Sequence, residues 1–306
     1  MGGGGTIRPS HLCRGTGRAE VGPVLEAPTD GISEEEAPNE RTPLLSIADV
    51  TIGFGGLLAL DHVSMSVSDG EVVGVIGPNG AGKTTLFNVI SGFVHPESGR
   101  ITYRGTELRR HHPHHLAKLG IARTLQGVGL CRGLTVLENV MLGAEPVLRT
   151  DMGSAFLGIW RSSREERRTE QRAMGVLEEL GAAAYAERYP AVLPYGIQKR
   201  TALARALVAS PQLLLLDEPA SGLSESDMDA LGAQLRGLTD RMAVLLVEHH
   251  MDLVMSVCDR IVVLNFGQVI AEGAPAAIRA NPEVAVAYLG DEVREPALED
   301  LGGGDA

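Results

Sequence analysis

Several features are scarce in this sequence, and each scarcity argues against a class of protein. Only three of the 306 residues are cysteines, Cys13, Cys131 and Cys258, and their wide separation argues against a disulfide scaffold or a cysteine metal site. No stretch approaches the ~18 consecutive apolar residues that span a bilayer. The formal charge of -12 argues against a nucleic-acid partner held on a basic surface. We therefore expect a soluble chain with free thiols in a reducing, cytoplasmic compartment.

The two ends of the chain carry much of the negative charge. Residues 1–44 hold seven acids and four bases, and residues 291–306 hold six acids and one base, so the middle is close to neutral. The N-terminal stretch has almost no apolar periodicity and lacks the apolar region of a secretory signal. We predict a disordered tail at 1–44, a large α/β domain at 45–290 and an acidic tail at 291–306.

The segment Gly77 to Thr85 carries the strongest chemical signal. It matches the phosphate-loop pattern, in which glycines let successive backbone N–H groups converge on phosphate oxygens. The apolar run 71–76 predicts a buried strand before the loop, and 86–90 predicts a helix whose N-terminus faces the same anion. Lys83 should reach the β- and γ-phosphates, and the Thr84 hydroxyl should ligate Mg²⁺. The predicted nucleotide-binding residues of this loop are Gly77, Pro78, Asn79, Gly80, Ala81, Gly82, Lys83, Thr84 and Thr85.

Two carboxylates follow another strongly apolar run, Leu213 to Leu216. Asp217 stands where a phosphate-loop fold needs a carboxylate that holds Mg²⁺ through water. Glu218 is the candidate general base for the attacking water. The alternative is that this Asp-Glu pair merely caps a turn.

Three further residues are weaker candidates for the same chemistry. Gln126 ends a strand-like run, and its amide suits a Mg²⁺ ligand that also senses the γ-phosphate. His249 follows an apolar run after the linking Glu248, where a neutral imidazole can contact the γ-phosphate and orient the water, and His250 competes for that role. Phe54 suits stacking on adenine, although a hydrophobic residue in an edge hairpin explains it equally well.

The segment Leu193 to Arg200 reads Leu-Pro-Tyr-Gly-Ile-Gln-Lys-Arg and precedes a predicted helix. Pro194 and Gly196 are expected to position an exposed helix N-terminus, which is a second anion site. The phosphate loop of one chain does not require such a site. This additional anion site is explained if two copies of the chain face each other and each completes the other's nucleotide pocket.

These residues together resemble an ABC transporter ATP-binding subunit over roughly residues 46–290. The resemblance implies an ATP-hydrolysing α/β P-loop fold with an antiparallel β subdomain and a helical subdomain at about 127–210. Six motifs occur in the family's order. By similarity they are Walker A (77–84), Walker B (213–217), the catalytic glutamate Glu218, the Q-loop glutamine Gln126, the switch histidine His249 and the adenine-stacking Phe54.

Several segments of the sequence are also similar to those of the ABC subgroup that takes up branched-chain or other hydrophobic amino acids. The segments that carry this likeness are 54–60, 120–126, 193–196, 247–251 and the ending Ala287-Tyr-Leu-Gly290. The subgroup implies ATP and Mg²⁺ as cofactors, a second ATP-binding subunit (the same chain or a paralogue) and separate transmembrane permeases. It also implies, indirectly, an extracytoplasmic binding protein, and a location on the inner face of the cell membrane. The alternatives are an ATPase for lipid or lipopolysaccharide export and a non-transport ABC ATPase.

Two positions depart from the family's pattern. Pro194 and Tyr195 replace the serine and first glycine of the usual Leu-Ser-Gly-Gly-Gln signature. Proline has no hydroxyl, so only backbone N–H groups, led by that of Gly196, can donate to the γ-phosphate bound by a partner. Ser224 stands where the D-loop aspartate is often found. Both departures concern communication between two sites rather than ATP binding by one chain.

Two charged clusters are interpreted without a functional role. The run Arg161 to Arg168 predicts an exposed helix face, with contact to anionic lipid as a subordinate alternative. Four histidines surround Pro113, which interrupts the helical spacing that a metal site would need, so a solvated loop is predicted there. These histidines are His111, His112, His114 and His115.

Overall fold

The computed structural model describes residues 1–2, 43–124, 127–144 and 159–292. The chain divides into two units, Met1–Glu40 and Arg41–Ala306, and all helices and strands given below belong to the second. The predicted tails at 1–44 and 291–306 lie for the most part outside the described residues, as does Gln126.

The described elements alternate between strands and helices along most of the chain. In chain order the strands are β1 (Leu45–Phe54), β2 (Leu57–Val67), β3 (Val72–Ile76), β4 (Ser98–Tyr103), β5 (Thr106–Glu107), β6 (Ile121–Arg123), β7 (Leu213–Asp217), β8 (Ala243–Val247), β9 (Arg260–Asn265) and β10 (Gln268–Gly273). The α-helices are α1 (Lys83–Ile90), α2 (Val136–Leu142), α3 (Ile159–Glu179), α4 (Tyr195–Leu207), α5 (Glu225–Leu238), α6 (Met251–Val257), α7 (Pro275–Ala280) and α8 (Pro282–Glu292).

A mixed sheet forms the central layer, with strand order β10-β9-β3-β8-β7-β6. Its strands are parallel except for β10, which pairs antiparallel with β9 at one edge. Every residue of β3, β7 and β8 is buried, as parallel strands covered on both faces require. Alternate side chains enter two cores: Val72 and Leu214 pack with helices, whereas Val73 and Leu215 pack with α1 and the second sheet.

The second sheet is antiparallel, with strand order β2-β1-β4-β5. Strand β1 pairs with β2 through a tight hairpin and with β4 on its other side. Burial alternates along β1, so one face of this sheet covers α1 and the central sheet. The predicted α/β class with an antiparallel β part is confirmed.

Three helices, α2, α3 and α4, pack together in the part of the chain predicted to be helical, 127–210. Ala173 and Leu177 form the buried stripe of α3, against α2 and α4. The crossing of α2 over α4 is close at Gly143, the residue that follows α2. A Cβ atom there would lie 1.9 Å from the Arg205 carbonyl oxygen, which leaves no space for a side chain.

The histidine cluster differs from its prediction. Pro113–Leu119 forms a 3-10 helix with Pro113 in its first turn, where the fixed φ of proline is favourable. His111 is buried, and its Nε2 lies 2.7 Å from the Ile90 carbonyl oxygen. The predicted solvated loop is therefore wrong for His111, which fills the space beside the end of α1, and for the backbone, which turns at once into a helix. His112 and His114 are exposed, as predicted.

None of the helices in the described part of the chain combines the length and the apolar character needed to cross a bilayer.

The close crossing at Gly143 makes a testable prediction for stability. Gly143→Ala should lower the free energy of unfolding by about 1–3 kcal/mol, because the methyl group must push α2 away from α4. Gly175→Ala is the matched control, since Gly175 is exposed within α3 and has no atom within 4 Å of the added methyl. It should raise the free energy of unfolding by about 0.5–1 kcal/mol. Urea unfolding measures both, and equal midpoints for the two variants would contradict the packing described.

Candidate nucleotide-binding site

The phosphate loop joins β3 to α1, so the predicted strand and helix on either side of it are confirmed. Gly77 and Gly82 have φ angles of 149° and 105°, which side chains of L-residues rarely adopt. Space is lacking as well: a Cβ on Gly77 would lie 2.1 Å from the Leu264 oxygen, and one on Gly82 would lie 2.5 Å from the Ala59 oxygen. The loop therefore depends on glycine at both ends, where it presses on β9 and β2.

Lys83 is the first residue of α1, and its side chain turns back over the loop. Its ammonium group donates to the carbonyl oxygens of Gly77 and Pro78 at 2.6 and 2.8 Å. The first turn of α1 contains no acidic residue, and Thr84 in that turn is exposed. The helix N-terminus, the lysine and the hydroxyl thus provide a positive, donor-rich surface suited to a polyphosphate.

Asp217 ends β7 and is buried, with a side-chain exposure of only 6%. Its Oδ2 lies 3.1 Å from Nη2 of Arg123, which ends β6. The same guanidinium donates to Asn88 Oδ1 and Ser91 Oγ, each at 3.0 Å. Arg123 therefore ties the predicted Mg²⁺ carboxylate to the end of α1. Sequence reasoning did not single it out, although a charged residue closing a short buried strand was a signal.

Glu218 follows Asp217 with a positive φ of 47°, a conformation that costs energy for a non-glycine residue. Two contacts fix its backbone in this state. Its N–H donates to the Val247 oxygen at 2.9 Å, and its carbonyl accepts from Lys199 Nζ at 3.2 Å. A strained backbone that is held by specific contacts is typical of functional positions, and the role of Glu218 as general base stays a prediction.

Glu248, interpreted from the sequence as a linking residue, is fully buried. One carboxylate oxygen accepts the Ala220 N–H at 2.7 Å, and the other accepts the N–H groups of His249 and His250 at 2.9 and 3.1 Å. The buried carboxylate thus joins the loop after Glu218 to the loop that carries His249. Its signal in the sequence was an acidic residue directly after five apolar strand residues.

Lys199 on α4 brings a positive charge near the carboxylates of Glu218 and Glu248. Burial lowers the pKa of Lys199, and the charges of Glu248 and Glu218 oppose that shift. Its ammonium also lies 5.5 Å from the centre of the Tyr195 ring. The first turn of α4 is therefore linked electrostatically to the ends of β7 and β8.

His249 lies at the end of β8, with about half of its side chain exposed, and its Nδ1 is 3.7 Å from Glu248 Oε2. The ring of His250 lies 4.3 Å from it, centre to centre. Glu248, His249 and His250 hold donor atoms within 4.8 Å of one another. Both Glu248 oxygens already accept backbone N–H groups, so we interpret the carboxylate as an organiser of these loops rather than a metal ligand.

Phe54 ends β1 at the tip of the hairpin and is 53% exposed. The returning strand β2 touches the phosphate loop, since Ala59 and Leu60 are the residues that a Cβ on Gly82 would meet. The hairpin therefore flanks the loop with an exposed aromatic ring. Stacking on adenine stays a prediction.

The start of α4 differs in part from its prediction. Pro194 and Tyr195 are exposed, as expected for an exposed helix N-terminus, but Gly196 itself is buried. The Asp227 carboxylate occupies the space next to the Gly196 α-carbon, where a Cβ would lie 2.7 Å from Oδ2. Asp227 also pairs with Arg200 at 3.0 Å. The role of this segment toward a second copy stays a prediction.

Comparison with known proteins identifies the family. Residues 60–221 match the family model described as ABC transporter. The chain belongs to the ABC transporter family. Residues 268–294 match a second model, described as branched-chain amino acid ATP-binding cassette transporter.

Three proteins similar to this ABC family member illustrate the range of the match. The chain is 41% identical over 251 residues to the high-affinity branched-chain amino acid transport ATP-binding protein BraF of Pseudomonas aeruginosa, covering 81% of this chain and 98% of BraF. It is 41% identical over 252 residues to the corresponding protein LivG of Escherichia coli, with the same coverages. A solved ATP-binding cassette of an ABC transporter in its ADP conformation superposes with a TM-score of 0.71 and 31% identity, covering 81% of this chain and 99% of that one.

As an ABC ATPase, the chain binds nucleotide and hydrolyses ATP. Among the described residues, the predicted Mg²⁺ ligands are the Thr84 hydroxyl and the Asp217 carboxylate, and this assignment stays a prediction. Oxygen donors of this kind fit Mg²⁺. Arg123 engages Oδ2 of Asp217, and this contact holds the carboxylate at the strand end in a defined orientation.

The buried Glu248 generates a prediction for this ABC ATPase. Glu248→Ala should lower the free energy of unfolding by about 1–3 kcal/mol, because three backbone N–H groups, including the buried one of Ala220, lose their acceptor. ATP turnover should also fall, since the loops after β7 and β8 lose their common anchor. Glu179→Ala is the control: its partly exposed pair with Arg241 should contribute less than about 1 kcal/mol. Urea unfolding and a phosphate-release assay measure both effects, and wild-type behaviour of Glu248→Ala would refute the anchoring role.

Proposed function

We propose that this chain is the ATP-hydrolysing subunit of an ABC importer for branched-chain or other hydrophobic amino acids. The observation that carries the proposal is the match of 268–294 to a model specific for branched-chain amino acid cassettes. The identity of 41–42% over 98% of each named relative supports it. Because the transported molecule does not touch this subunit, the substrate class rests on these similarities rather than on the geometry of the site.

In this proposal, the phosphate loop and the segments after β7 and β8 supply the groups for ATP hydrolysis. Lys83 and the N-terminus of α1 bind the triphosphate, and Phe54 stacks on the adenine. A water oxygen attacks the γ-phosphorus, its proton passes to the Glu218 carboxylate, and the bond to the bridging oxygen of ADP breaks. His249 and Gln126 orient this water. Thr84, Asp217 and Gln126 would hold Mg²⁺, which would supply neutralisation of the charge that develops on the phosphates.

A second ATP-binding subunit completes each site in this proposal. The exposed residues Pro194 and Tyr195 lead the face that the second subunit meets, with Gly196 directly behind them. The Tyr195 ring packs against the 221–224 segment, since a Cβ on Gly222 would come within 3.0 Å of that ring. Closure of two subunits on ATP and reopening after hydrolysis then move the membrane subunits. The working location is therefore peripheral, on the inner face of the cell membrane.

The role of Glu218 is tested by Glu218→Gln. The variant should bind ATP with the affinity of the wild type but hydrolyse it about 10²–10⁴-fold more slowly, because the amide cannot accept the proton. Glu225→Gln, which changes an exposed carboxylate in the first turn of α5, should leave both quantities unchanged. Binding of a fluorescent ATP analogue and release of phosphate measure them. Normal turnover by Glu218→Gln would remove Glu218 from the mechanism.

A groove of about 400 Å³ suits the contact with the permease. It is lined mainly by apolar residues from the 3-10 helix at 113–119, β6 and α4, and by Phe93, which is 58% exposed. Arg123 lies in the same groove and bonds to Asp217, so a helix docked there would act directly on the metal-binding carboxylate. Because this contact connects the groove to the nucleotide site, we propose that the permease, which must respond to ATP, docks in the groove.

Co-purification tests both the groove and the substrate class. The wild-type chain should carry permeases for hydrophobic amino acids with it from membranes of its own cells. Phe93→Glu should reduce that recovery several-fold, because a carboxylate replaces an exposed apolar ring of the groove. Leu57→Glu, which changes an exposed apolar residue of the hairpin, is the control and should not reduce the recovery of permeases. Recovery of lipid-export membrane subunits instead would favour the alternative function, and undiminished recovery with Phe93→Glu would contradict the docking site.

A further inference from the structure

Four histidine rings form a surface cluster that takes no part in the reaction described above. His112, His114 and His115 lie at the start of the 3-10 helix at 113–119, and His95 approaches from the segment that follows α1. His95, His112 and His114 are exposed, and His115 is partly exposed. Because imidazole is the commonest metal ligand among side chains, such a cluster has the chemistry of a metal site.

The 3-10 helix places two of these histidines on one face. His112 is the N-cap of the helix and His115 is its third residue, so they stand three positions apart. Side chains at this spacing eclipse each other in a 3-10 helix, which has three residues per turn. Pro113 interrupts α-helical spacing, but it fits the first turn of this tighter helix. The spacing that the sequence seemed to deny to a metal site is therefore restored.

The ring centres lie at distances that suit a shared ion. The His112 ring is 5.6 Å from that of His114 and 5.9 Å from that of His115, and the last two are 4.1 Å apart. Two imidazoles on one tetrahedral zinc ion have ring centres about 5 Å apart, as the usual Zn–N distance requires. The ring of His95 packs edge-on against His112 at 5.9 Å. The donor nitrogens do not converge within 4.8 Å among these described residues, so binding requires rotation of exposed side chains.

The environment of His115 favours this rotation and the protonation state that a metal requires. Its Nδ1 lies 3.5 Å from the His112 N–H, at the limit of a hydrogen bond, so little is lost when the ring turns. The pKa of His115 is lowered by loss of contact with water, and then by charge repulsion from His114, His112, Lys118 and His111. The ring is therefore neutral at neutral pH, which is the form that binds a metal ion.

We propose that His112, His114 and His115 form a binding site for a divalent transition-metal ion of the zinc, nickel and copper class. Imidazole ligands suit these ions, whereas Mg²⁺ and Ca²⁺ prefer oxygen. Water takes the fourth position of a tetrahedral ion. The site lies outside the nucleotide site and does not depend on the proposed function. A bound ion fixes the start of the 3-10 helix that forms one wall of the groove assigned to the permease.

Titration calorimetry of the full-length protein with Zn²⁺, in the absence of nucleotide, tests the site. His112→Asn should weaken Zn²⁺ binding about tenfold or more, since loss of a ligand costs at least as much as loss of a group that supports one. Asparagine is favoured at an N-cap, so this variant should keep the helix. His114→Asn should weaken binding similarly. Lowering the pH below about 6.5 should also weaken it, because protons compete for the same nitrogens.

Co²⁺ gives a spectroscopic test of the same site. Bound to the wild type, it should show the visible absorption of a nitrogen-ligated ion, and His112→Asn should lose that absorption. His62→Asn is the matched control, since His62 is an exposed histidine whose Nδ1 already lies 2.6 Å from Asp49 Oδ1. This variant should leave Zn²⁺ affinity and the Co²⁺ spectrum unchanged.

A further variant separates the cluster from the donor group of Glu248, His249 and His250. Loss of Zn²⁺ binding in His250→Asn, with wild-type affinity in His112→Asn, would place the ion in that group and overturn the proposal. Weak binding that none of these substitutions changes would show an adventitious ion only, and would equally overturn it.

Discussion

Parallel pairing of β3, β8 and β7 is the constraint on which the site depends. In this register Val75 lies beside Val247, and Val247 lies beside Asp217. The three strands therefore end at the same edge of the central sheet. The chain leaves each of them into a segment that contains predicted site residues: the phosphate loop, Glu218, and the loop with His249. Because the strands are buried on both faces, this edge is rigid, and the side chains that follow it are held within a few residues of fixed backbone.

Charged groups also hold this edge together. Two buried carboxylates end β7 and follow β8, and each is satisfied by specific donors. Asp217 pairs with Arg123, and Glu248 accepts three backbone N–H groups. Lys199 on α4 adds a third connection through the Glu218 carbonyl. A movement of α4 relative to the central sheet is thus transmitted to the loop that holds the proposed base. This is a physical route by which closure on a partner subunit can reach the chemistry.

The two departures from the usual family pattern have local structural explanations. Ser224 is the N-cap of α5, with its hydroxyl accepting from the Asp227 N–H, so the position serves the helix even without an aspartate. Tyr195 packs its ring against Gly222 and lies near the Lys199 ammonium. The exposed tip of α4 is therefore tied to the 221–224 segment. Gly196 is buried against Asp227, which moves the accessible part of this N-terminus to its first two residues.

The sequence alone determined the phosphate loop, its flanking strand and helix, the buried strands before Asp217 and His249, and the family. These features depend on local glycine chemistry and on runs of apolar residues, which short windows of sequence contain. Tertiary structure alone decided the contacts of Arg123 and Glu248, the burial of Gly196, and the position of His111 in a packed corner. Each of these depends on contacts between residues far apart in the chain, as with Arg123 and Asp217. The pairing of strands in the sheet creates those contacts, and no local pattern specifies which strand becomes the neighbour of which.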